Sequence, residues 1–204
     1  MFLRFWIIVG GLLLVASGAF AADLNGECRV RFFGTSTLHD FSGQAVCEAF
    51  NWSQSPAAGG ELVVQDALVR VPVAAMDTDN GKRDKKMYEM FSSAEFPLIE
   101  GRFEDFVPQQ LIKQLRSDGE EPGRLPFELR IRDISRPVEA VIRELRETPQ
   151  EIFFVAEFPV SLAAYDLKAP GVLGIIRVGD EVRVEVEVVI RSTDLPVAAT
   201  GTHN

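Results

Sequence analysis

Few side chains in this sequence carry reactive chemistry, and their spacing limits what they could do. There are two histidines, His39 in the run Thr35-Ser36-Thr37-Leu38-His39-Asp40 and His203 in the C-terminal tail. Neither has a second ligand at a zinc-like spacing, so no metal site is expected. His39 has two readings, a turn histidine hydrogen-bonded to backbone or a polar group at a cavity mouth touching a ligand headgroup. Asp40 and Asp66 would form an acid/base pair only if the fold joined them, and nothing in the sequence does so. The chain contains no G-x-S-x-G, no H-E-x-x-H and no phosphate-cradling glycine loop, so no catalytic residue is assigned and no enzyme is expected. A last cluster holds Asp77, Thr78, Arg83 and Asp84, whose expected role is to cap a helix and tie it to the fold. Among them Lys82, Arg83, Lys85 and Lys86 form either a solvated helix face or a surface for a pyrophosphate or carboxylate.

Cys28 and Cys47 are the only cysteines. They bracket a hairpin; if Cys28 opposes Cys47, then Val30 faces Ala45, Phe32 faces Gly43 and Gly34 faces Phe41. Large residues then meet small ones on one face, which supports that register. A disulfide across the pair would close a loop of about 20 residues, worth roughly 3 kcal/mol in the chain-entropy model. An oxidising compartment is implied by the first residues. Arg4 gives a positive start, Phe5–Val15 an apolar run and Ala19-Phe20-Ala21 a small-x-small site, which together read as a Sec-type signal over residues 1–21. The apolar run is shorter than the roughly 20 residues a bilayer needs, so no stable membrane anchor is expected. The formal net charge of −9 and the lack of a basic cluster exclude nucleic acid as an expected partner. What remains after the signal suits one domain, residues 22–192, followed by a polar tail over 193–204.

The elements that must position these residues are strands. In Glu181–Arg191 the residues Val182, Val184, Val186, Val188 and Ile190 share one face, and Arg183, Glu185, Glu187 and Arg191 the other. A period of two over that length makes a strand with one dry and one wet face. Further strands are expected near Gly26–Gly34, Phe41–Phe50, Glu61–Val73, Leu98–Phe106, Arg124–Arg132, Arg136–Glu147 and Ile152–Leu162. The third should turn Val63, Ala67, Val69, Val71 and Val73 to one face. Ser53–Gly60 reads as a loop, Val107–Gly123 as a polar excursion with a short helix at Gln109–Arg116, and Tyr165–Gly179 as irregular. Between strands 3 and 4, Asp77–Phe91 changes to helical spacing beyond an Asp79/Asn80 start signal, with Met87, Met90 and Phe91 docking it. The class is therefore all-β, an eight-stranded antiparallel up-and-down barrel with one short α-helix, although a sandwich needs similar patterning.

Three local patterns occur in one order: F-F-G-T-S-T-L-H-D-F-S-G at Phe32–Gly43; M-D-T-D-N-G-K-R-D-K-K-M-Y-E-M-F at Met76–Phe91 followed by F-P-L-I-E-G-R-F at Phe96–Phe103; and L-R-I-R-D-I-S-R-P-V at Leu129–Val138. Together they resemble the YceI-like family of secreted, periplasmic lipid-binding proteins. Asp133 departs from the glycine usual in that family's turn before Pro137, the Val107–Gly123 excursion is longer, and the cysteine pair is not a general feature. The resemblance implies a lipocalin-like barrel whose elongated apolar cavity takes a polyisoprenoid, an isoprenoid quinone, a fatty lipid or a similar long-chain amphiphile, with no other cofactor.

The residue pattern agrees independently: small Gly43, Ala45, Gly101 and Ala156 share the inner-parity face with Phe32, Phe41, Phe103, Phe127, Phe154 and Phe158. Val184, Val186, Met87, Phe91 and His39 complete the expected ligand-binding set. Aromatic walls with small gaps leave a channel or interdigitate into a plug, and the sequence leaves both open. The first outcome makes a periplasmic carrier or sequestering protein. The second makes an envelope stress or assembly module with a packed barrel that acts through its surface, the 107–123 loop first. No residue pattern argues for an oligomer, and a homodimer stays open.

Overall fold

The computed structural model describes residues 23–57, 61–107, 110, 113, 123–148, 151–169 and 178–192. The expected signal at 1–21, the tail at 193–204, and most of the 107–123 and 165–179 stretches lie outside the described residues. The described chain forms β1 (Asp23–Ser36), β2 (Phe41–Val46), β3 (Phe50–Pro56), β4 (Leu62–Pro72), α1 (Gly81–Met90), β5 (Leu98–Phe106), β6 (Arg124–Ile131), β7 (Ile134–Glu147), β8 (Glu151–Ser161) and β9 (Val178–Ser192). Every pairing is antiparallel, and β1 closes on β9 from Leu24↔Ser192 to Ser36↔Val178. Consecutive β2 and β3 lie along the same edge of β1, so nine strand segments build an eight-stranded barrel, with α1 between β4 and β5. The sandwich alternative falls away, because two separate sheets would leave edges that this closure removes.

Alternation sets which side chains enter the barrel. On β9, Val188 and Ile190 are buried and Val182, Val184 and Val186 half-buried, while Arg183 and Arg191 are exposed. Opposed residues on β8, Phe154↔Val188, Ala156↔Val186 and Phe158↔Val184, share that inner face. The outer face carries ion pairs such as Arg31 with Glu185 (3.1 Å) and Glu187 (3.0 Å), and Arg70 with Glu100 (3.3 Å). Such exposed pairs contribute little each, and the barrel is held by its inward hydrophobes.

The hairpin register holds residue for residue, Val30↔Ala45, Phe32↔Gly43 and Gly34↔Phe41. The Cys28–Cys47 disulfide is formed, with a Cα–Cα separation of 5.3 Å, and the Cys47 N–H donates to the Cys28 carbonyl (3.0 Å).

Four expectations need correction. The second strand is not continuous over Phe41–Phe50: β1 pairs Arg29 with Val46 but Gly26 with Phe50. One extra residue is therefore inserted around Cys47–Ala49, where the Glu48 N–H turns to the Arg70 carbonyl of β4 (2.8 Å). Such a bulge flips the facing parity, so Phe41 and Ala45 point inward before it and Phe50 and Trp52 after it. Second, strand structure continues through Ser53–Pro56, expected as loop, because β3 pairs with β4 at Gln54↔Val64 and Ser55↔Val63. Third, Val64 rather than Val63 is buried with Ala67. The inner parity of β4 switches there, opposite Asp105 of β5, whose φ of 49° breaks the extended run. Last, the strands beside the first turn reach further than expected: β1 starts at Asp23 and ends at Ser36, which leaves a shorter connection to β2.

The helix is short because its boundaries are chemically marked. Asn80 caps it, its side-chain oxygen accepting from the Lys82 N–H (3.2 Å) and the Arg83 N–H (3.1 Å). Asp79 before it has φ of 57°, a left-handed conformation that Asp tolerates better than most residues. Met87 and Phe91 are buried against the barrel, and Tyr88 Oη donates to the Met76 carbonyl (2.6 Å). No helix among the described residues is long and apolar enough to cross a membrane.

Candidate functional site

Half-burial of inward residues is the first sign of what lies inside. Val30, Val69, Val71, Ile99, Phe103, Phe127, Val182, Val184 and Val186 point into the barrel yet are only half-buried. A side chain that faces inward and is still accessible faces empty space. That space is a cavity of about 610 Å³, within the range of small-molecule sites. A packed barrel interior, which the surface-acting alternative needs, is not what the molecule has.

Every residue expected to bind ligand lines this one cavity. Phe32 and Phe41 come from the first hairpin, Phe103 and Phe127 from β5 and β6, Phe154 and Phe158 from β8, Val184 and Val186 from β9. Met87 and Phe91 of α1 and His39 of the β1–β2 connection also line it. Phe103 stacks on Phe127 with centroids 5.2 Å apart, and Phe127 meets Phe158 edge-on at 5.1 Å. Gly101, Ala45 and Ala156 supply the gaps in this aromatic wall.

Sequence reasoning missed Phe50, Trp52 and Phe106, which line the cavity as well. Trp52 is buried, stacked on Phe50 (4.6 Å) and within 5.9 Å of Phe103 and 6.4 Å of Phe106, ring centroid to centroid. Alternation of Phe50, Trp52 and Gln54 with Asn51 and Ser53 was the available signal. The bulge hid it by reversing the face, and the bend at Asp105 did the same for Phe106.

The polar lining is confined to one end. Ser36, His39, Thr78, Asn80, Lys82, Arg83 and Lys86 come from the β1–β2 connection and from α1 with the segment before it. There Leu38 is 61 % exposed and His39 is exposed, so the cavity reaches the surface at this end. Arg83 is held in place: its Nε donates to Thr78 Oγ1 (2.8 Å), a terminal nitrogen to the Thr78 carbonyl (2.6 Å), and its guanidinium lies 5.4 Å from the Phe41 ring centroid. Asp84 accepts from the Thr78 N–H (3.0 Å) and from Thr78 Oγ1 (2.5 Å). Asp77 joins β2 by paired backbone bonds with Gln44, both 2.8 Å. These residues tie the helix to the barrel, as expected, but the cap is Asn80 rather than any of the four. Lys85, grouped with the other cations in the sequence, does not line the cavity, whereas Lys82 and Lys86 do.

His39 contacts its turn through backbone: its N–H donates to Ser36 Oγ (3.2 Å) and its carbonyl accepts from Ser36 Oγ (2.6 Å). Asp40 and Asp66 are not brought together. Asp40 accepts from the Ser36 N–H (3.3 Å) at the mouth, while Asp66 holds Arg102 on the outer wall through two bonds of 3.1 Å. That pairing raises the Arg102 pKa further, the hydrogen bond first and the charge of Asp66 second. Burial pushes the Tyr165 hydroxyl up, and it donates to the Leu129 carbonyl (3.3 Å) as a fixed neutral group. Among the described residues no three His, Cys, Asp or Glu side chains gather where they could hold a metal ion.

Fold and cavity together define the class: a closed, lipocalin-like antiparallel barrel with a polar-rimmed apolar chamber. The chain belongs to the YceI-like domain family, whose model matches residues 26–190. No curated protein matches it. Among solved structures it is similar to a polyisoprenoid binding domain from Saccharophagus degradans implicated in plant cell wall breakdown. That likeness has a TM-score of 0.57 at 11 % identity, covering 82 % of this chain and 98 % of that one. It is also similar to Burkholderia cenocepacia BcnA, with a TM-score of 0.58 at 14 % identity over 79 % of this chain and 95 % of the other. At these identities the likeness shows a shared fold.

Proposed function

We propose that this protein is a non-enzymatic carrier or sequestering protein that takes the tail of a polyisoprenoid or similar long-chain amphiphile into its barrel. The observation that carries the reading is the unfilled apolar chamber of about 610 Å³ inside a closed barrel. Dehydrating a tail there is worth roughly 0.8 kcal/mol per methylene, less the cost of ordering a flexible chain. Family membership and the polyisoprenoid-binding domain among its structural neighbours support the same ligand class. Periplasmic action after cleavage of residues 1–21 is part of the proposal. It is supported by the Sec-type pattern and by a formed disulfide, which persists in oxidising compartments.

The test is a titration of the purified protein with a prenyl alcohol, followed by the quenching or shift of Trp52 fluorescence. Wild type should saturate. Phe103→Arg and Phe154→Arg should lose binding, since each sets a charge against the tail. Melting curves and near-ultraviolet circular dichroism identify any variant that fails to fold. No saturation by any long-chain amphiphile, or full binding by both folded arginine variants, would overturn the reading.

A further inference from the structure

The chamber is apolar except at one end, where the charged residues that line it are Lys82, Arg83 and Lys86. α1 crosses the mouth with a graded face: Lys82 and Arg83 line the cavity from its first turn, Lys86, Met87 and Met90 from its second half, and Phe91 from its C-cap. Lys82 and Lys86 are four residues apart and so share one side of the helix. Their placement is electrostatically unfavourable in the free protein. Lys82 and Arg83 lie in the first turn, at the positive end of the helix dipole, and Lys82 repels Lys86 across one turn.

Nearby acids make no ion pair with these lysines. Asp84 is committed to Thr78 (3.0 and 2.5 Å), and Asp77 accepts from the Asp79 N–H (2.9 Å). On the barrel wall the pattern is the reverse, with Arg31, Arg70, Arg102, Arg130, Arg143 and Arg191 each paired to a carboxylate. Among the described residues Lys82 and Lys86 form no ion pair. Two lysines without an ion pair therefore stand at the rim of an apolar chamber.

We propose that the ligand is an anionic amphiphile, a carboxylate or a phosphate, bound tail-first with its head between Lys82 and Lys86 at the α1 mouth. This rests on the carrier reading above and narrows it, since a neutral quinone or alcohol would leave both lysines unanswered. The tail lies along Phe41, Phe32 and the β9 valines, and the head stays at the wet rim, where its charge is not desolvated.

The test uses ligands that differ only in the head: hexadecanoate, hexadecyl phosphate and hexadecanol, titrated against wild type and against the Lys82→Gln/Lys86→Gln variant. Both substitutions are on the exposed rim, and a melting curve confirms that the variant is folded. In wild type at least one anion should bind about tenfold tighter than the alcohol at about 20 mM salt, with the gap narrowing towards about 300 mM. In the variant the preference should shrink to within about threefold, the favoured anion losing several times more affinity than the alcohol. Tighter hexadecanoate assigns a carboxylate head and tighter hexadecyl phosphate a phosphate head; both support the proposal. Equal binding of all three by wild type, or a preference that survives the double substitution, would overturn it and leave the carrier reading standing. No binding of any of the three would remove the carrier reading and this inference together.

Discussion

Replacing Gly101 with leucine separates an open chamber from a plugged one, because the two require opposite signs. Gly101 is half-buried on the inner face of β5, between Val69 of β4 and Leu129 of β6. A Cβ there would meet nothing closer than Phe127 Cδ2 at 3.6 Å and Phe103 Cε2 at 3.8 Å, ordinary van der Waals separations. The remaining carbons would extend into the chamber. Burying a leucine contributes roughly 1.5–3 kcal/mol, and removing a glycine from a strand interior adds roughly 0.5–1 kcal/mol. Allowing for imperfect rotamer fit, a net gain of about 1–3 kcal/mol is expected, a rise in Tm of about 3–10 °C for a domain of this size. The same four carbons displace about four ligand methylenes, roughly 3 kcal/mol, so a prenyl or alkyl ligand should bind about a hundredfold more weakly. Scanning calorimetry reads the first effect and titration the second. In a filled core the insertion would instead cost about 1–3 kcal/mol, so a lowered Tm with unchanged affinity would refute the reasoning.

Three further outcomes follow from other parts of the barrel. The Cys28→Ser/Cys47→Ser double variant should lose about 3 kcal/mol in urea unfolding, matching the effect of reductant on wild type, because the bridge closes a loop of sequence separation 19. Gly43→Ala should destabilise far more than Gly101→Ala in the same assay: its Cβ would collide with the Phe32 ring and sit 2.8 Å from the Asp77 carbonyl oxygen, whereas at Gly101 the space is free. Asp180 is held below the usual carboxylate range, first by the Ser161 hydroxyl (2.6 Å) and then by the Ala163 N–H (2.7 Å). A lowered folded pKa means that its stabilisation is complete above the unfolded value and is lost as pH falls through the folded one. Asp180→Asn should therefore lower Tm at neutral pH, with the difference from wild type closing in melts taken below about pH 4.

How far the sequence was legible depended on where the period of two stayed intact. On β9, β8 and β6 it runs unbroken, and Val184, Phe154, Phe158 and Phe127 were placed correctly on the cavity wall. The first hairpin was read to its register because pairing Cys28 with Cys47 sets it, and the resulting Phe32 against Gly43 and Phe41 against Gly34 support it. Reading failed where a single backbone irregularity reverses the faces. The extra residue near Cys47–Ala49 turned Phe50 and Trp52 inward, and the left-handed Asp105 did the same around Phe106 and Val64. Neither site carries a glycine or proline to announce it, since Asp105 takes a positive φ without either. Whether the inward phenylalanines interlock or stand apart is set by barrel diameter and strand tilt, which no local pattern encodes.

Native mass spectrometry of the protein purified without detergent, before and after organic extraction, tests the central claim most directly. The account predicts a non-covalent adduct with the mass of one long-chain amphiphile, removed by extraction and restored by adding prenyl or fatty lipid. A protein that runs at its bare mass throughout, and stays there when those lipids are supplied, would contradict it.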